Sequence, residues 1–160
     1  MAEDGRKLLS TYLNDHLAGS TVGVELARRA RGQNEGTPLG RFLEELTEEI
    51  EEDRETLKSV MKAVGAGEDR LKQKFGWIAE KTGRLKPNNR LFGYSPLSRV
   101  IELEGLSLGV EGKRSLWQAL HEAGIPELAG FDFEALIERA ATQRAGLEEH
   151  RLAAAATAFS

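Results

Sequence analysis

The stretch that decides the fold is LGRFLEELTEEIEEDRETLKSVMKAV, residues 39–64. Leu39, Leu43, Leu46, Ile50, Leu57, Val60 and Val64 follow one another in alternating steps of four and three, with Asp53 standing where the remaining apolar residue belongs. Such spacing draws one continuous stripe along an α-helix and does not fit the two-residue alternation of a strand. Upstream, Gly32-Gln33-Asn34-Glu35-Gly36 breaks the chain. Thr37-Pro38 then supplies an N-cap and a first-turn proline with no N–H to lose. Downstream, Gly65-Ala66-Gly67 stops the helix.

The same spacing recurs on either side. Leu9, Leu13, Leu17, Val24 and Ala27 mark a helix over about residues 6–31. Leu97, Val100, Ile101, Leu108, Leu116, Trp117 and Leu120 mark another over 96–123, opened by Ser95-Pro96 and closed by Gly124-Ile125-Pro126. Phe133, Leu136, Ile137, Ala140, Leu147 and Ala154 mark the last, over 132–158, with Asp132 as its cap. Residues 66–95 form a long connection that carries its own helical stretch, 69–82, before the coil around Pro87. Nothing alternates as a strand would, so the expectation is one all-α domain spanning residues 1–160, a four-helix bundle whose second core-forming helix is 38–64.

Short loops join the first helix to the second and the third to the fourth. A connection as long as 66–95 can run back along the bundle and leave helices two and three parallel. With its antiparallel hairpin, long helical crossover and second hairpin, the layout resembles the ferritin-like superfamily over nearly the whole chain. An up-down-up-down bundle with a side helix would carry the same helices. The di-metal members of that family imply a Glu on two helices and Glu-x-x-His on the other two. Here His16, His121 and His150 have Leu13, Gln118 and Leu147 three residues before them, so the motif is absent and the resemblance transfers no ligand residue.

Composition narrows the chemistry. There are no cysteines, which excludes thiolate metal sites, cysteine nucleophiles and disulfides, and fits a reducing compartment. The first residues, Met1-Ala-Glu-Asp-Gly-Arg-Lys, lead into no apolar run of the kind that targets or anchors a chain, so a cytoplasmic protein without membrane association is expected. The formal net charge of −4 speaks only to solubility.

Polar residues interrupt the stripes at a common height. Counted from the helix centres, His16, Asp53, Glu111 and Gln143 fall in one layer, and Glu104 and His150 in a second. His16, Asp53 and Glu111 would supply the mixed nitrogen and oxygen shell of a single Zn, Mn or Fe ion. The same residues, with Glu104, Gln143 and His150, would serve equally as a buried hydrogen-bonded polar core that fixes helix register. Gly19-x-x-x-Gly23 and Gly105-x-x-x-Gly109, followed by Gly112, cost helix stability, about 0.8–1 kcal/mol each relative to Ala. Close packing of helix one on helix three, a homodimer contact, or a hollow for a small ligand would each account for them.

Charge is segregated as well. Glu44, Glu45, Glu48, Glu49, Glu51, Glu52, Asp53 and Glu55 crowd helix two, whereas residues 70–99 hold eight basic side chains against Glu80. The basic connection can neutralise acidic helix two, or Arg84, Lys86 and Arg90 can bind a polyanion with Phe75, Trp77, Phe92 and Tyr94 nearby; nucleic acid is not the expected partner of an acidic chain. Taken together, the residues point to a homodimeric, non-catalytic ferritin-like binding or scaffold protein, of the kind that serves in stress, with no obligatory cofactor. A mononuclear metal protein is the alternative, and polyanion binding a further one. No nucleophile signature or phosphate-binding loop is present.

Overall fold

A computed structural model describes residues 3–67 and 94–160. They form four long helices: α1 (Glu3–Gln33), α2 (Pro38–Ala63), α3 (Pro96–Ala123) and α4 (Phe133–Phe159), with a 3-10 turn at Pro126–Leu128. No strand occurs among the described residues, and no helix there is long and apolar enough to cross a membrane. The helix at 69–82, the crossover it would form, and Arg84, Lys86 and Arg90 lie outside the described residues.

Local chemistry sets the helix starts. The Thr37 hydroxyl accepts from the Gly40 N–H at 3.0 Å, the Ser95 hydroxyl from the Ser98 N–H at 3.1 Å, and the Asp132 carboxylate from the Ala135 N–H at 3.0 Å. Each satisfies a donor that the first helical turn leaves without an intrahelical partner. Gly40 is also sterically obligatory, because a Cβ there would lie 2.1 Å from the Asn34 carbonyl oxygen. Gly124 ends α3 in the left-handed conformation, φ 54°, a region that side chains disfavour.

The helices pack as two hairpins, α1 with α2 and α3 with α4, laid against each other so that α1 meets α3 and α2 meets α4. Directions follow from named contacts. The Arg29 guanidinium donates to Glu102 at 2.9 Å, while Tyr12 and His16 share a hollow with Gly112 and Leu116, so α1 and α3 are antiparallel. Phe42 lies against His150 with ring centroids 4.7 Å apart, and Gln143 donates to Glu49 at 2.7 Å, so α2 and α4 are antiparallel too. Helices α2 and α3 therefore run in the same direction across the diagonal. Asn14, three turns into α1, donates to the Gly67 carbonyl at 3.3 Å, and Asn34, just past its end, donates to the Tyr94 hydroxyl at 3.0 Å. Those anchor points are about 30 Å apart along α1, at a rise of 1.5 Å per residue.

The core falls into two halves. Val24, Ala27, Leu43, Leu46, Ile50, Leu103, Leu106, Val110 and Leu147 belong to one. Leu13, Leu17, Leu57, Val60, Leu116, Trp117, Leu120 and Phe133 belong to the other. Between them the heptad stripes carry Ser20 on α1, Asp53 on α2 and Lys113 on α3, while Gln143 on α4 stands just inside the first half, between Ala140 and Leu147. Leu57 is 3% exposed and Leu8 72% exposed. Leu57→Ala is expected to lower the unfolding free energy by about 2–5 kcal/mol, through lost transfer energy and the cavity left behind. Leu8→Ala is expected to stay within about 0.5 kcal/mol. Urea denaturation of the two variants checks both.

Candidate functional site

Where the two halves of the core meet, the polar side chains satisfy one another. The Asp53 carboxylate, 3% exposed, is clasped between the Lys113 ammonium and the Arg139 guanidinium. Lys113 also donates to the Gln143 side-chain carbonyl at 2.5 Å, and the Gln143 amide donates to Glu49. Arg139 reaches outward to Glu52 at 2.9 Å. Burial pushes the Lys113 ammonium below the ordinary lysine range, with Asp53 pulling the other way and Arg139 adding to the depression.

On the α1 side of this layer the core is open. Ser20 turns its hydroxyl back to the Leu17 carbonyl at 2.7 Å, and Gly19 and Gly23 flank it. Facing them on α3 stand Gly105, Gly109 and Gly112. Among the described residues, a Cβ added at Gly19, Gly23, Gly109 or Gly112 would meet no atom within 4 Å, whereas one at Gly105 would touch Leu26 at 3.0 Å. At four of the five positions, then, glycine leaves space instead of admitting a neighbouring helix, and the close-packing account of these residues is corrected accordingly. The space is a hollow of about 490 Å³, within the usual range of small-molecule pockets. Its walls are chiefly apolar, with Ile50, Leu57, Leu106, Val110, Leu116 and Trp117 prominent. Lys113, Asp53, Arg54, Ser20, His16, Asp15 and Tyr12 supply the polar points.

The residues singled out in the sequence are distributed as follows. His16 and Asp53 both line the hollow. His16 is half-buried, its ring edge-on to Tyr12 with centroids 4.6 Å apart. Glu111 points elsewhere, to Arg144 at 3.2 Å and Arg114 at 3.4 Å. Among the described residues no three His, Asp or Glu side chains gather as a metal-ligand group. Gln143 lies buried in the layer with Asp53. Glu104 is exposed and pairs with Arg151 at 3.4 Å instead of His150, whose ring rests on Phe42. The residue that sequence reasoning missed is Lys113. Its signal was present: Leu103, Leu106, Val110, Lys113, Trp117 and Leu120 keep an unbroken rhythm of three and four, which Glu104 and Glu111 do not share.

Comparison with known proteins yields no match, whether to a family model, a curated protein or a solved structure. The geometry alone therefore carries the functional argument.

Two expectations test the layer. Asp53→Ala leaves Lys113 and Arg139 without their shared carboxylate, and unfolding should become easier by about 3–5 kcal/mol. Lys113→Met should cost less, since Asp53 keeps Arg139; chemical denaturation compares them. Burial also pushes the His16 imidazole below its ordinary 6.5, against the opposing pull of Asp15. The unfolded chain then takes up the proton more readily than the folded one, so stability rises with pH over the interval that ends near 6.5. That rise should vanish in His16→Gln, measured by thermal denaturation across the interval.

Proposed function

We propose that this chain is a non-catalytic, ferritin-like bundle that binds a small, largely apolar molecule in the hollow between α1 and α3. The ferritin-like part of the reading is supported by antiparallel neighbours around a diagonal on which α2 and α3 run parallel. The binding part rests on one observation: Gly19, Gly23, Gly109 and Gly112 stand beside open space. Four such glycines in helix interiors cost about 3–4 kcal/mol relative to Ala. That is a large share of the roughly 5–15 kcal/mol by which a domain of ordinary stability stays folded. Among the described residues no helix-to-helix contact at those four positions offsets the cost, and a ligand that fills the space would. An enclosed cavity of about 150 Å³ holds one benzene, so about 490 Å³ offers room for a two- or three-ring molecule.

The test uses 2-(1-naphthyl)ethanol, a neutral two-ring probe, titrated calorimetrically into the full chain. Wild type is expected to bind it at one site per chain. Gly109→Leu, which puts a side chain into the space, should weaken binding at least tenfold. Gly19→Ala and Gly109→Ala should each raise the unfolding free energy by up to about 1 kcal/mol. Absent or superstoichiometric binding, or binding that Gly109→Leu leaves unchanged, would overturn the reading.

A further inference from the structure

Helix α3 carries a second stripe, on the side turned away from the core. Leu97, Ile101 and Leu108 are 51%, 50% and 75% exposed. With Glu104 they continue in steps of four and three to Gly112, Ser115 and Ala119, so one face of the helix holds them all. Glu104, Ser115 and Ala119 are exposed and Gly112 is half-buried. A solvated helix face ordinarily carries charge. The one charged side chain in this stripe, Glu104, is already held by Arg151 at 3.4 Å.

The order of these residues has a symmetry that folding of a single chain does not require. Leu97, Ile101 and Glu104 lie eleven, seven and four positions before Leu108, and Ala119, Ser115 and Gly112 lie eleven, seven and four positions after it. One arm thus holds the large side chains and the other the small ones. A second α3, reversed about Leu108, sets Leu97 on Ala119, Ile101 on Ser115 and Glu104 on Gly112, while the two Leu108 side chains meet at the axis. Large against small at each level is how packed layers interdigitate. The same patch on both partners is what a two-fold dimer demands. Like charges stay apart, because the two Glu104 positions are then about 12 Å from each other along the helices.

Size and charge agree with that partner. Reversal about Leu108 overlaps residues 96–120 of α3. Together with flanking α1, where Leu8 is 72% and Tyr12 37% exposed, the strip is about 37 Å long and about 20 Å wide, or about 700 Å² per chain. A specific interface takes about 600–1,000 Å² from each partner. The chain's own residues 68–93 contain seven basic side chains, for which the stripe offers no free carboxylate. A second α3 brings no such charge.

We propose that two copies of this chain pair through the outer face of α3, antiparallel across a two-fold axis at Leu108. The inference goes beyond the binding of a small molecule and is independent of what the hollow holds.

Sedimentation equilibrium on the full chain, over a range of micromolar concentrations, is the test. Wild type is expected at twice the 17.6 kDa of one chain. Leu108→Glu places two carboxylates at the axis, and Ser115→Glu sets one against Ile101 of the partner copy. Each should weaken pairing at least tenfold and leave the helical circular dichroism unchanged, since both positions are exposed. Leu152→Glu, at a site on α4 that is 54% exposed and lies off the stripe, should remain dimeric. A monomeric wild type, its α3 face bare or covered by residues 68–93, would overturn the proposal, as would a dimer that Leu108→Glu leaves intact. Either result would leave the reading of the hollow untouched.

Discussion

The contact on which this bundle turns is the grip of Lys113, on α3, and Arg139, on α4, upon the buried Asp53 carboxylate of α2. It joins three helices at the level where the apolar core is divided. A slip of one helix by a turn would replace Asp53 or Lys113 by a leucine or valine and strand the remaining charge in an apolar layer. Buried ion pairs add little to stability compared with hydrocarbon of the same shape, but separating them is costly. A shift of either hairpin would separate the pair, so this level opposes a change of register.

The same layer explains why the hollow lies between α1 and α3. Three helices bring long polar side chains to this level, whereas α1 brings Ser20 between Gly19 and Gly23. The small residues on α1 face another set of small residues on α3, and the space they leave adjoins the Lys113 side chain. Above and below it, ordinary packing resumes through Leu13 and Leu17 on one side and Val24 and Ala27 on the other. Between α1 and α3 the described helices thus leave an apolar recess with a charged wall, the usual makeup of a small-molecule site.

Both ends of the bundle are held by polar contacts of a different kind. At one, Asn34 accepts from Arg99 at 2.9 Å and donates to Tyr94, whose hydroxyl in turn donates to Glu102 at 3.0 Å. At the other, Asn14 reaches the Gly67 carbonyl. Gly67 and Tyr94 are therefore held about 30 Å apart along α1, which is what parallel α2 and α3 require.

The sequence by itself determined the class of fold and the heights of its polar residues. Helical rhythm, proline and glycine punctuation and hydroxyl or carboxylate caps are local properties, readable one turn at a time, and Asp53 and Gln143 broke their stripes visibly. What only the tertiary structure decided was which face of each helix looks inward. A residue one position off the stripe is rotated by about 100°; that rotation separates Glu111, which turns to Arg144, from Lys113, which enters the core. It also separates a lysine–aspartate layer from the carboxylate–imidazole cluster of His16, Asp53 and Glu111. The glycines were conspicuous in the chain, yet a glycine leaves the same mark on a sequence whether a neighbour presses against it or nothing does. Only the distance between α1 and α3 distinguishes the two, and here that distance leaves a hollow.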